Sequence, residues 1–320
     1  MIDFQEKKFL VEIAKEYYEH GKTQAEIANR FNISRPMVSR KLAEAREIGI
    51  VKIFVDSSSD TMSLLEQKLF SRFNLKGLRI ASVPNNDIPL SVQLTAKAGA
   101  QYLRKFIKPG DKIGVGWGWT LYEMSSYLSQ LPIGISLVCQ ITGSVDNAMT
   151  KGYANEIVNN FYQKLSSREA YCLPCPVMVS NAYIADTLIL EPKINNVLSL
   201  GKKCNKLFVN IANPDRKSCL YQAGYINDSD LGNLHHRRAA GSICCRFFDQ
   251  NGNICDEELD NRTVGISLNE IKNAECVLAC ITGQEKAEAI YYALKADFID
   301  VLVIDSVTAE AILAIDEANT

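Results

Sequence analysis

The first 55 residues carry apolar side chains at helical spacing. Phe9, Leu10, Ile13 and Tyr17 recur on one helical face and predict a first helix. A helix with such a face buries it against neighbouring elements, so we expect further helices close by in the chain. The N-terminal part is therefore predicted to be a small helical module.

Two further helices are predicted from their N-terminal capping residues. Thr23 and Glu26 have the spacing of a capping box, in which each side chain accepts a hydrogen bond from the other's backbone N–H. A third helix begins at Ser34, and its first turn tolerates Pro36 because an N–H there has no partner within the helix. About three residues separate the two helices, which is typical of a helix-turn-helix. Residues 50–55 then alternate as a strand, so the module is winged-helix-like.

A polar run follows at residues 56–60 and has no apolar side chain to bury. We place a domain boundary there, which gives a module of residues 1–56 and a larger domain of residues 57–320. In the larger domain, apolar runs of strand length alternate with helical periodicity. The predicted strands are residues 112–115, 135–141, 207–211, 277–281 and 301–304. This alternation favours a doubly wound α/β domain with a mostly parallel sheet.

The composition is that of an ordinary globular protein, with 47% apolar and 22% charged residues in a chain of 320. The chain start lacks a basic region followed by an apolar one, and no stretch approaches the ~18 apolar residues of a membrane span. Ten cysteines without the spacing of a disulfide scaffold fit reduced thiols. We therefore expect a cytoplasmic protein with no membrane partner. Its net charge of −2 gives no global attraction to nucleic acid, so DNA binding must depend on local charge.

Positive charge is concentrated on the second and third helices. Residues 27–43 contain Arg30, Arg35, Arg40 and Lys41 and no acidic residue. In a helix-turn-helix, the start of the second helix of the pair enters the major groove, where arginine can bind guanine bidentately and hydroxyl or amide groups bind phosphates. The candidate DNA-binding residues are Thr23, Gln24, Ser34, Arg35, Pro36, Ser39, Arg40 and Lys41. The alternative is a protein-docking module with a solvated basic face.

A glycine-rich turn connects the strand at residues 112–115 to a helix. Thr120 and Glu123 have capping-box spacing, so backbone N–H groups and a helix N-terminus converge at the turn, as in anion sites. The G-x-G-x-G spacing is not the dinucleotide fingerprint, and no P-loop lysine follows it. The candidate effector-binding residues here are Gly116, Gly118, Trp119 and Thr120. The alternative is a tight turn in which the glycines and tryptophans only pack.

Two more strand-to-loop segments carry chemistry. Gly283 and Lys286 follow the strand at 277–281. A positive charge at a helix N-terminus interacts unfavourably with the helix dipole, so Lys286 would be better satisfied by a bound anion than by its own helix. Gly143 and Asp146 follow the strand at 135–141. Ligands of open α/β sheets bind at the carboxyl ends of strands, so these residues are candidates for effector binding. The alternative for Lys286 is a side chain that points into solvent.

Other motifs are interpreted as structural. Cys172 and Cys175 have redox or metal spacing but no second pair to complete a tetrahedral site. Residues 235–238, His-His-Arg-Arg, could contact a ligand or DNA but are typical of an exposed charged turn. The pair Cys244 and Cys245 lies in an apolar stretch and is expected to be packed. We predict no cofactor, no metal ligand and no catalytic residue, because the three histidines form no catalytic set.

Several stretches spread over the whole chain occur together in one family. They are residues 23–28, 34–35, 38–40, 49–51, 116–120, 239–243, 246–249, 283–290 and 305–309. On these stretches the chain resembles the SorC-type (SorC/DeoR) bacterial transcription regulators over nearly its whole length. The combination is specific, whereas a helix-turn-helix alone would not be.

The resemblance implies an effector domain with the sugar-phosphate isomerase/deaminase (CoA-transferase-like) fold, used for sensing. It also implies that the turn ending at Thr120 and the helix start at Lys286 hold the effector's phosphate. A homodimer or homotetramer that reads palindromic operator DNA is implied as well. The chain departs from the family at Ser242, where an aspartate is frequent, and at Gly283, where a second glycine is missing. An unphosphorylated polyol or a lost effector site therefore stay open.

Two classes of function remain. The first is a DNA-binding regulator of a carbohydrate operon, in which a sugar or sugar phosphate shifts the protein between conformations that differ in DNA affinity, with relief of repression favoured by analogy. The second is a sugar-phosphate isomerase or deaminase with an appended helix-turn-helix. Such an enzyme needs a general base, for which Asp146 and Glu156 are the candidates.

Overall fold

The structure is a computed structural model that describes residues 4–51, 59–84, 87–145 and 153–319. The chain divides into two compact units, Met1–Ser57 and Ser58–Thr320. The predicted domain boundary after residue 56 lies outside the described residues. Residues 59 and 60, which were expected in the linker, begin a helix instead.

Three helices of the smaller unit pack around one apolar cluster. They are α1 (Phe4–Tyr18), α2 (Gln24–Phe31) and α3 (Arg35–Glu47). The cluster takes Ile13 from α1, Ile27 and Ala28 from α2, and Val38 and Leu42 from α3. Each helix contributes its apolar face, as the spacing of these residues predicts.

The two predicted caps are confirmed. The Glu26 N–H donates to Thr23 Oγ1 at 3.3 Å, and the Thr23 N–H donates to the Glu26 carboxylate at 2.8 Å. The Met37 N–H donates to Ser34 Oγ at 3.3 Å. The turn between α2 and α3 is made possible by Asn32, whose φ of 52° is left-handed.

The predicted strand after α3 is not observed where the chain is described. Ile50 and Val51 pack beside a second small cluster instead of pairing with another strand. Residues 52–55 of that predicted strand lie outside the described residues.

Ten strands are described in the larger unit. They are β1 (Gly77–Ala81), β2 (Lys112–Val115), β3 (Leu137–Gln140), β4 (Glu169–Tyr171), β5 (Lys206–Val209), β6 (Ile211–Ala212), β7 (Ala239–Ile243), β8 (Arg246–Asp249), β9 (Cys276–Ile281) and β10 (Val301–Asp305). Seven of them form a sheet in the order β1-β10-β9-β5-β2-β3-β4, and each neighbouring pair is parallel. The remaining strands, β6, β7 and β8, form a small antiparallel sheet.

The helices of the larger unit alternate with these strands. They are α4 (Ser59–Arg72), α5 (Ile88–Tyr102), α6 (Trp119–Ser126), α7 (Tyr153–Lys164), α8 (Ala182–Leu190), α9 (Pro192–Gly201), α10 (Cys219–Gln222), α11 (Asp228–His236), α12 (Glu257–Asn261), α13 (Leu268–Lys272), α14 (Ala287–Lys295) and α15 (Ser306–Ala318). Among the described helices, none has both the length and the apolar character needed to span a bilayer.

Both faces of the large sheet are covered. Along β9, Val277, Ala279 and Ile281 belong to one apolar cluster, whereas Leu278 and Cys280 belong to another. Successive side chains of a strand point to opposite faces, so the two clusters lie on the two sides of the sheet. Helices α4, α9, α14 and α15 supply the first cluster, and α5, α6 and α7 supply the second. The predicted α/β domain with a mostly parallel central sheet is confirmed.

The strand predictions are close, with one informative error. The predicted strand at 207–211 is interrupted: β5 ends at Val209, and β6 starts at Ile211 in the small antiparallel sheet. Asn210 is therefore a junction residue at the carboxyl end of β5. The other four predicted strands occur with ends shifted by at most two residues, as in the case of Leu137–Gln140.

Arg246 ties the small sheet to the segment that follows α12. It is buried, and its guanidinium donates to the carbonyl oxygens of Thr263, Gly265 and Ile266 at 3.1, 2.9 and 2.6 Å. It also donates to the carboxylate of Asp260 at 2.7 Å. A buried charge is tolerated when it is paired and hydrogen-bonded in this way.

We expect Arg246→Met to lower the free energy of unfolding by about 3 kcal/mol, because the buried acceptors lose their donors. The measurement is urea denaturation of the full chain followed by tryptophan fluorescence, since both tryptophans, Trp117 and Trp119, lie in the larger unit.

The control is Arg216→Met, which removes an ion pair with Asp228 at 2.9 Å from a side chain that is 72% exposed. Exposed pairs contribute at most about 1 kcal/mol. Equal losses in the two variants would contradict a special role for Arg246.

Candidate functional site

The carboxyl ends of β2, β5 and β9 open into a cavity of about 310 Å³, called here the first cavity. Its wall combines the glycine-rich turn after β2, the segment after β5, the β7–β8 hairpin and the start of the chain after β9. The lining residues are 117–121, 210–213, 215, 217–220, 242, 245, 247, 280, 281, 285 and 286. The position agrees with the general location of ligands at the carboxyl ends of parallel strands.

A second cavity of about 880 Å³ adjoins the first. It lies at the ends of β9 and β10 and at the starts of α5 and α15. Its lining residues are 84, 87, 88, 91, 92, 119, 120, 282–286, 305, 307, 310, 311 and 314. Trp119, Thr120, Glu285 and Lys286 line both cavities and form the wall that they share.

The glycine-rich turn brings a helix N-terminus to this shared wall. Helix α6 begins at Trp119, with Gly118 as its N-cap residue at φ 154° and no side chain capping it. The predicted capping box of Thr120 and Glu123 is therefore wrong, because the N-cap residue is Gly118, two residues earlier, and Thr120 lies inside the first turn. The Thr120 hydroxyl lies instead 3.3 Å from that of Thr282. The uncapped backbone N–H groups of α6 remain available to an anion.

The two tryptophans have different roles. Trp117 is buried at 5% exposure, and its ring N–H donates to the carbonyl oxygen of Gly143 at 2.8 Å. Trp119 is 45% exposed and lines both cavities. Both tryptophans line the first cavity, and Trp119 is the one with an exposed ring to offer to a ligand.

Lys286 supplies positive charge to the shared wall. It ends a 3₁₀ turn (Gln284–Lys286) directly before α14. Its half-buried side chain has no hydrogen-bond or ion-pair partner among the described residues. Burial lowers the pKa of Lys286, while the nearby carboxylates of Glu285, Asp305 and Asp215 act in the opposite direction. An ammonium group held in this way is ready to bind an anion.

The predicted effector residues are only partly brought together. Gly118, Trp119, Thr120 and Lys286 line the first cavity. Gly283 lines only the second, and its N–H already donates to the Asp305 carboxylate at 3.2 Å and to the Thr308 hydroxyl at 3.1 Å. The Gly283 N–H is therefore already used within the protein and is not offered to a ligand.

Gly116 and Gly143 do not line these two cavities. A Cβ on Gly143 would lie 2.4 Å from the carbonyl oxygen of Pro176, so this glycine allows a close backbone approach. Asp146 lies outside the described residues. Glu156, the other candidate base, lies on α7 and hydrogen-bonds to Tyr122, away from both cavities.

The polar segment after β5 was not among the residues predicted from the sequence. Asn210, Asn213, Asp215 and Ser218 line the first cavity. The rule that ligands bind at strand ends would have selected Asn210, but the predicted strand extended through it to residue 211. Ser242, which replaces a frequent aspartate of the resembled family, also lines this cavity.

The motifs interpreted as structural lie outside the wall of the first cavity, except for one thiol. Cys244 and Cys245 form the β7–β8 turn with φ of 48° and 67°, and Cys245 lines the cavity. Burial raises the pKa of Cys244 to about 12 and that of Cys175 to about 11. Residues 235–238 are exposed at the end of α11, and neither they nor Cys172 line the cavity. No cluster of three or more metal-ligating side chains occurs within the described ranges.

The smaller unit presents a basic surface at the start of α3. Ser34, Arg35, Pro36, Ser39 and Arg40 are all exposed. The guanidinium groups of Arg35 and Arg40 have no ion-pair partner in the part of the chain that the structure describes. The exposed positions of these residues are compatible with contact to a polyanion, and their role in DNA binding stays a prediction.

Three other predicted DNA-binding residues are placed differently. The ammonium of Lys41 is 18% exposed and is held by Glu6 at 2.8 Å and Glu44 at 2.9 Å, which does not favour a role as a phosphate ligand. The Thr23 hydroxyl already pairs with the Glu26 carboxylate within its cap. Gln24, half-buried in the first turn of α2, lies next to this cap.

Comparisons with known proteins assign the chain to a family. The model described as "Putative sugar-binding domain" matches residues 58–314. The deoxyribonucleoside regulator of Bacillus subtilis is 29% identical over 98% of this chain and 99% of the relative. The transcriptional regulator YjhU of Escherichia coli, which is uncharacterized, is 30% identical over 93% of this chain and 92% of its own length. The full-length sorbitol operon regulator SorC of Klebsiella pneumoniae has a TM-score of 0.75 at 27% identity, covering 98% of this chain and 100% of that structure.

The chain belongs to this sugar-binding domain family and is a transcription regulator of the SorC type.

We expect Lys286→Met to raise the melting temperature of the ligand-free chain at neutral pH. Below the lowered pKa of Lys286, the folded protein bears the cost of burying a charged amine, and methionine removes that cost. The cost of the native lysine disappears as pH rises through its lowered folded pKa toward the ordinary value of 10.5. The advantage of the variant should therefore shrink over the same range in a series of thermal melts.

The matched control is Lys295→Met, at the exposed C-terminal end of the same helix α14. There a lysine complements the helix dipole, so its removal should not stabilise the protein. A lower melting temperature for Lys286→Met than for Lys295→Met at neutral pH would contradict the prediction.

Proposed function

We propose that this regulator binds operator DNA through α3 and is controlled by a phosphorylated sugar that occupies the first cavity. The observation that carries the effector proposal is the unpartnered, half-buried ammonium of Lys286 beside the uncapped N-terminus of α6. The ammonium group and the helix N-terminus both favour a bound anion, and both lie at the wall that the two cavities share. Phosphate is the anionic group that small sugars most commonly carry.

The polar segment after β5 and the exposed ring of Trp119 suit the rest of such a ligand. Asn210, Asn213, Asp215 and Ser218 offer donors and acceptors for hydroxyl groups, and an aromatic face can stack on a sugar ring. Two relatives are named regulators of a sorbitol operon and of deoxyribonucleosides. We transfer from these names only the expectation of a small carbohydrate ligand.

The α2–α3 pair serves as a helix-turn-helix in this proposal, with the start of α3 in the major groove. The caps at Thr23 and Ser34 set the helix starts, and the unpaired guanidinium groups of Arg35 and Arg40 lie where such a helix meets base edges. A two-fold symmetric homodimer or homotetramer would read a palindromic operator. Such a regulator would act in the cytoplasm, where its DNA lies.

We propose that the larger unit has the sugar-phosphate isomerase/deaminase (CoA-transferase-like) architecture, used for sensing without turnover. Of the two carboxylates considered as a general base, Glu156 lies away from both cavities, and Asp146 lies outside the described residues. The effector would change DNA affinity by stabilising one of two conformations, with relief of repression as the expected direction.

Arg40→Ala should weaken DNA binding by about 1 to 3 kcal/mol if the guanidinium contacts a base edge. If it contacts a phosphate instead, the slope of log affinity against log salt should fall by about 1. The measurement is a gel-shift titration of the full chain against a duplex that the protein itself selects from random sequence.

The control is Lys41→Ala, at the next position, whose ammonium is engaged by Glu6 and Glu44. Its affinity for DNA should stay within about 0.5 kcal/mol of the unmodified protein. No loss of affinity in Arg40→Ala would remove Arg40 from the interface, and failure to select any duplex would overturn DNA binding by this module.

Lys286→Ala should weaken binding of the effector at least tenfold, or about 1.4 kcal/mol, because the phosphate loses a charge-assisted hydrogen bond. The measurement is the thermal shift of the full chain with a panel of pentose, hexose and hexitol phosphates and the corresponding free sugars, since a ligand that binds only the folded state raises its melting temperature.

Lys295→Ala, at the other end of α14, is the control and should respond as the unmodified chain does. Stabilisation by a free sugar equal to that by its phosphate ester would contradict the phosphate assignment. The same mixtures are assayed for ketose–aldose conversion and ammonia release, and turnover in either assay would favour the enzyme reading.

A further inference from the structure

We propose that Asn210 recognises a hydroxyl group of the sugar, so that it determines specificity within the first cavity. The inference rests on the proposed effector function and specifies the class of ligand: a sugar phosphate with a hydroxyl group on the carbon next to Asn210. It gives Asn210 a role separate from phosphate binding, which the glycine-rich turn and Lys286 are proposed to provide.

The backbone around Asn210 is held firmly in place. The Cys244 N–H donates to the Asn210 carbonyl oxygen at 3.3 Å, and the Gly116 N–H donates to the carbonyl oxygen of Phe208 at 2.8 Å. Asn210 also follows β5, the middle strand of the seven-stranded sheet. The amide therefore extends from a rigid support into the wall of the cavity, which suits a recognition residue.

The side-chain amide has no internal partner. Its oxygen Oδ1 is enclosed by protein, and no described residue donates a hydrogen bond to it. An enclosed acceptor without a donor costs free energy, and most such groups in proteins are paired. Asn210 lines the first cavity, and a half-turn of its amide exchanges oxygen and nitrogen, so the side chain can offer a ligand either a donor or an acceptor without movement of the backbone.

The turn after β2 lies against the Asn210 side chain. A Cβ on Gly116 would lie 3.4 Å from Asn210 Oδ1, which is an ordinary contact, and a Cβ on Gly118 would lie 3.3 Å from Asn210 Cβ, which is slightly tight. Gly118, the N-cap residue of α6, also adopts a φ of 154°, which side chains rarely adopt. Asn210 is therefore next to the start of α6, where the anion is proposed to bind.

Three neighbouring polar side chains already have a partner within the protein. Asn213 donates to the carbonyl oxygen of Glu285 at 2.6 Å, Ser242 donates to that of Ala212 at 3.4 Å, and Thr120 pairs with Thr282. An amide both donates and accepts, and a hydroxyl group does the same, so the two are complementary. A cavity of about 310 Å³ is at the small end of ligand sites and fits one sugar unit.

The test separates the anion anchor from recognition of the sugar. Dissociation constants of the full chain are measured for inorganic phosphate, sorbitol 6-phosphate, fructose 6-phosphate, ribose 5-phosphate and 2-deoxyribose 5-phosphate. The variants are Asn210→Ala, Asn210→Ser and, as a control, Asn269→Ala, an exposed asparagine on α13 outside both cavities.

We expect the unmodified protein to bind its best sugar phosphate at least about tenfold more tightly than inorganic phosphate, because a site built for a hydroxyl group discriminates strongly against ligands without it. Asn210→Ala should lose most of that preference and keep its affinity for inorganic phosphate. Asn210→Ser, which retains a short donor and acceptor, should lose less. The ligand-free melting temperature of Asn210→Ala should not fall, whereas a merely structural role would lower it.

Each other outcome overturns the inference in a distinguishable way. If Asn210→Ala keeps the preference for the sugar phosphate, Asn210 does not determine specificity. The same conclusion holds if its affinities for the sugar phosphate and for inorganic phosphate fall by the same factor. If the unmodified protein binds all these anions equally, the anion anchor stands and recognition of a hydroxyl group fails. If it binds none of them, the proposed effector function fails as well.

Discussion

The parallel alignment of the seven central strands is the constraint on which the larger unit depends. Parallel pairing requires a crossover between successive strands, so helices cover both faces, and the carboxyl ends of all the strands meet at one edge. Side chains distant in sequence, such as Thr120, Asn210 and Lys286, therefore line one cavity. The site follows from topology because each of the three segments begins where a strand ends.

Two groups in the site bear an unfavourable free energy of burial because they lack a direct hydrogen-bond partner. The half-buried Lys286 ammonium has no direct hydrogen-bond or ion-pair partner among the described residues, and no described residue donates to the enclosed Asn210 amide oxygen. Elsewhere the buried Arg246 donates from each of its guanidinium nitrogens, whereas the buried hydroxyls of Thr95 and Thr142 also have no described partner. Lys286 and Asn210 differ from those two threonines because they line the first cavity, where the proposed ligand would engage them.

Local signals explain which sequence-based predictions were correct. The caps at Thr23 and Ser34, the helices they start and the central strands depend on neighbours in the chain, so spacing alone was sufficient for them. The errors occurred where a distant segment decides the outcome. Thr120 pairs with Thr282 instead of capping a helix. That partner cannot be inferred from the local pattern.

The sequence by itself determined the α/β class, the concentration of basic residues on the second and third helices and the two turns at the ends of β2 and β9, because apolar periodicity and capping are short-range properties. Only the tertiary structure decided which residues share the cavity. In the structure, Gly143 and Glu156 do not line either cavity, whereas Asn210 lines the first. Asn210 was not predicted because it lay inside the predicted strand at 207–211. The physical reason is that cavity walls are built from strand ends, whose order in the sheet is set by packing among segments far apart in the chain.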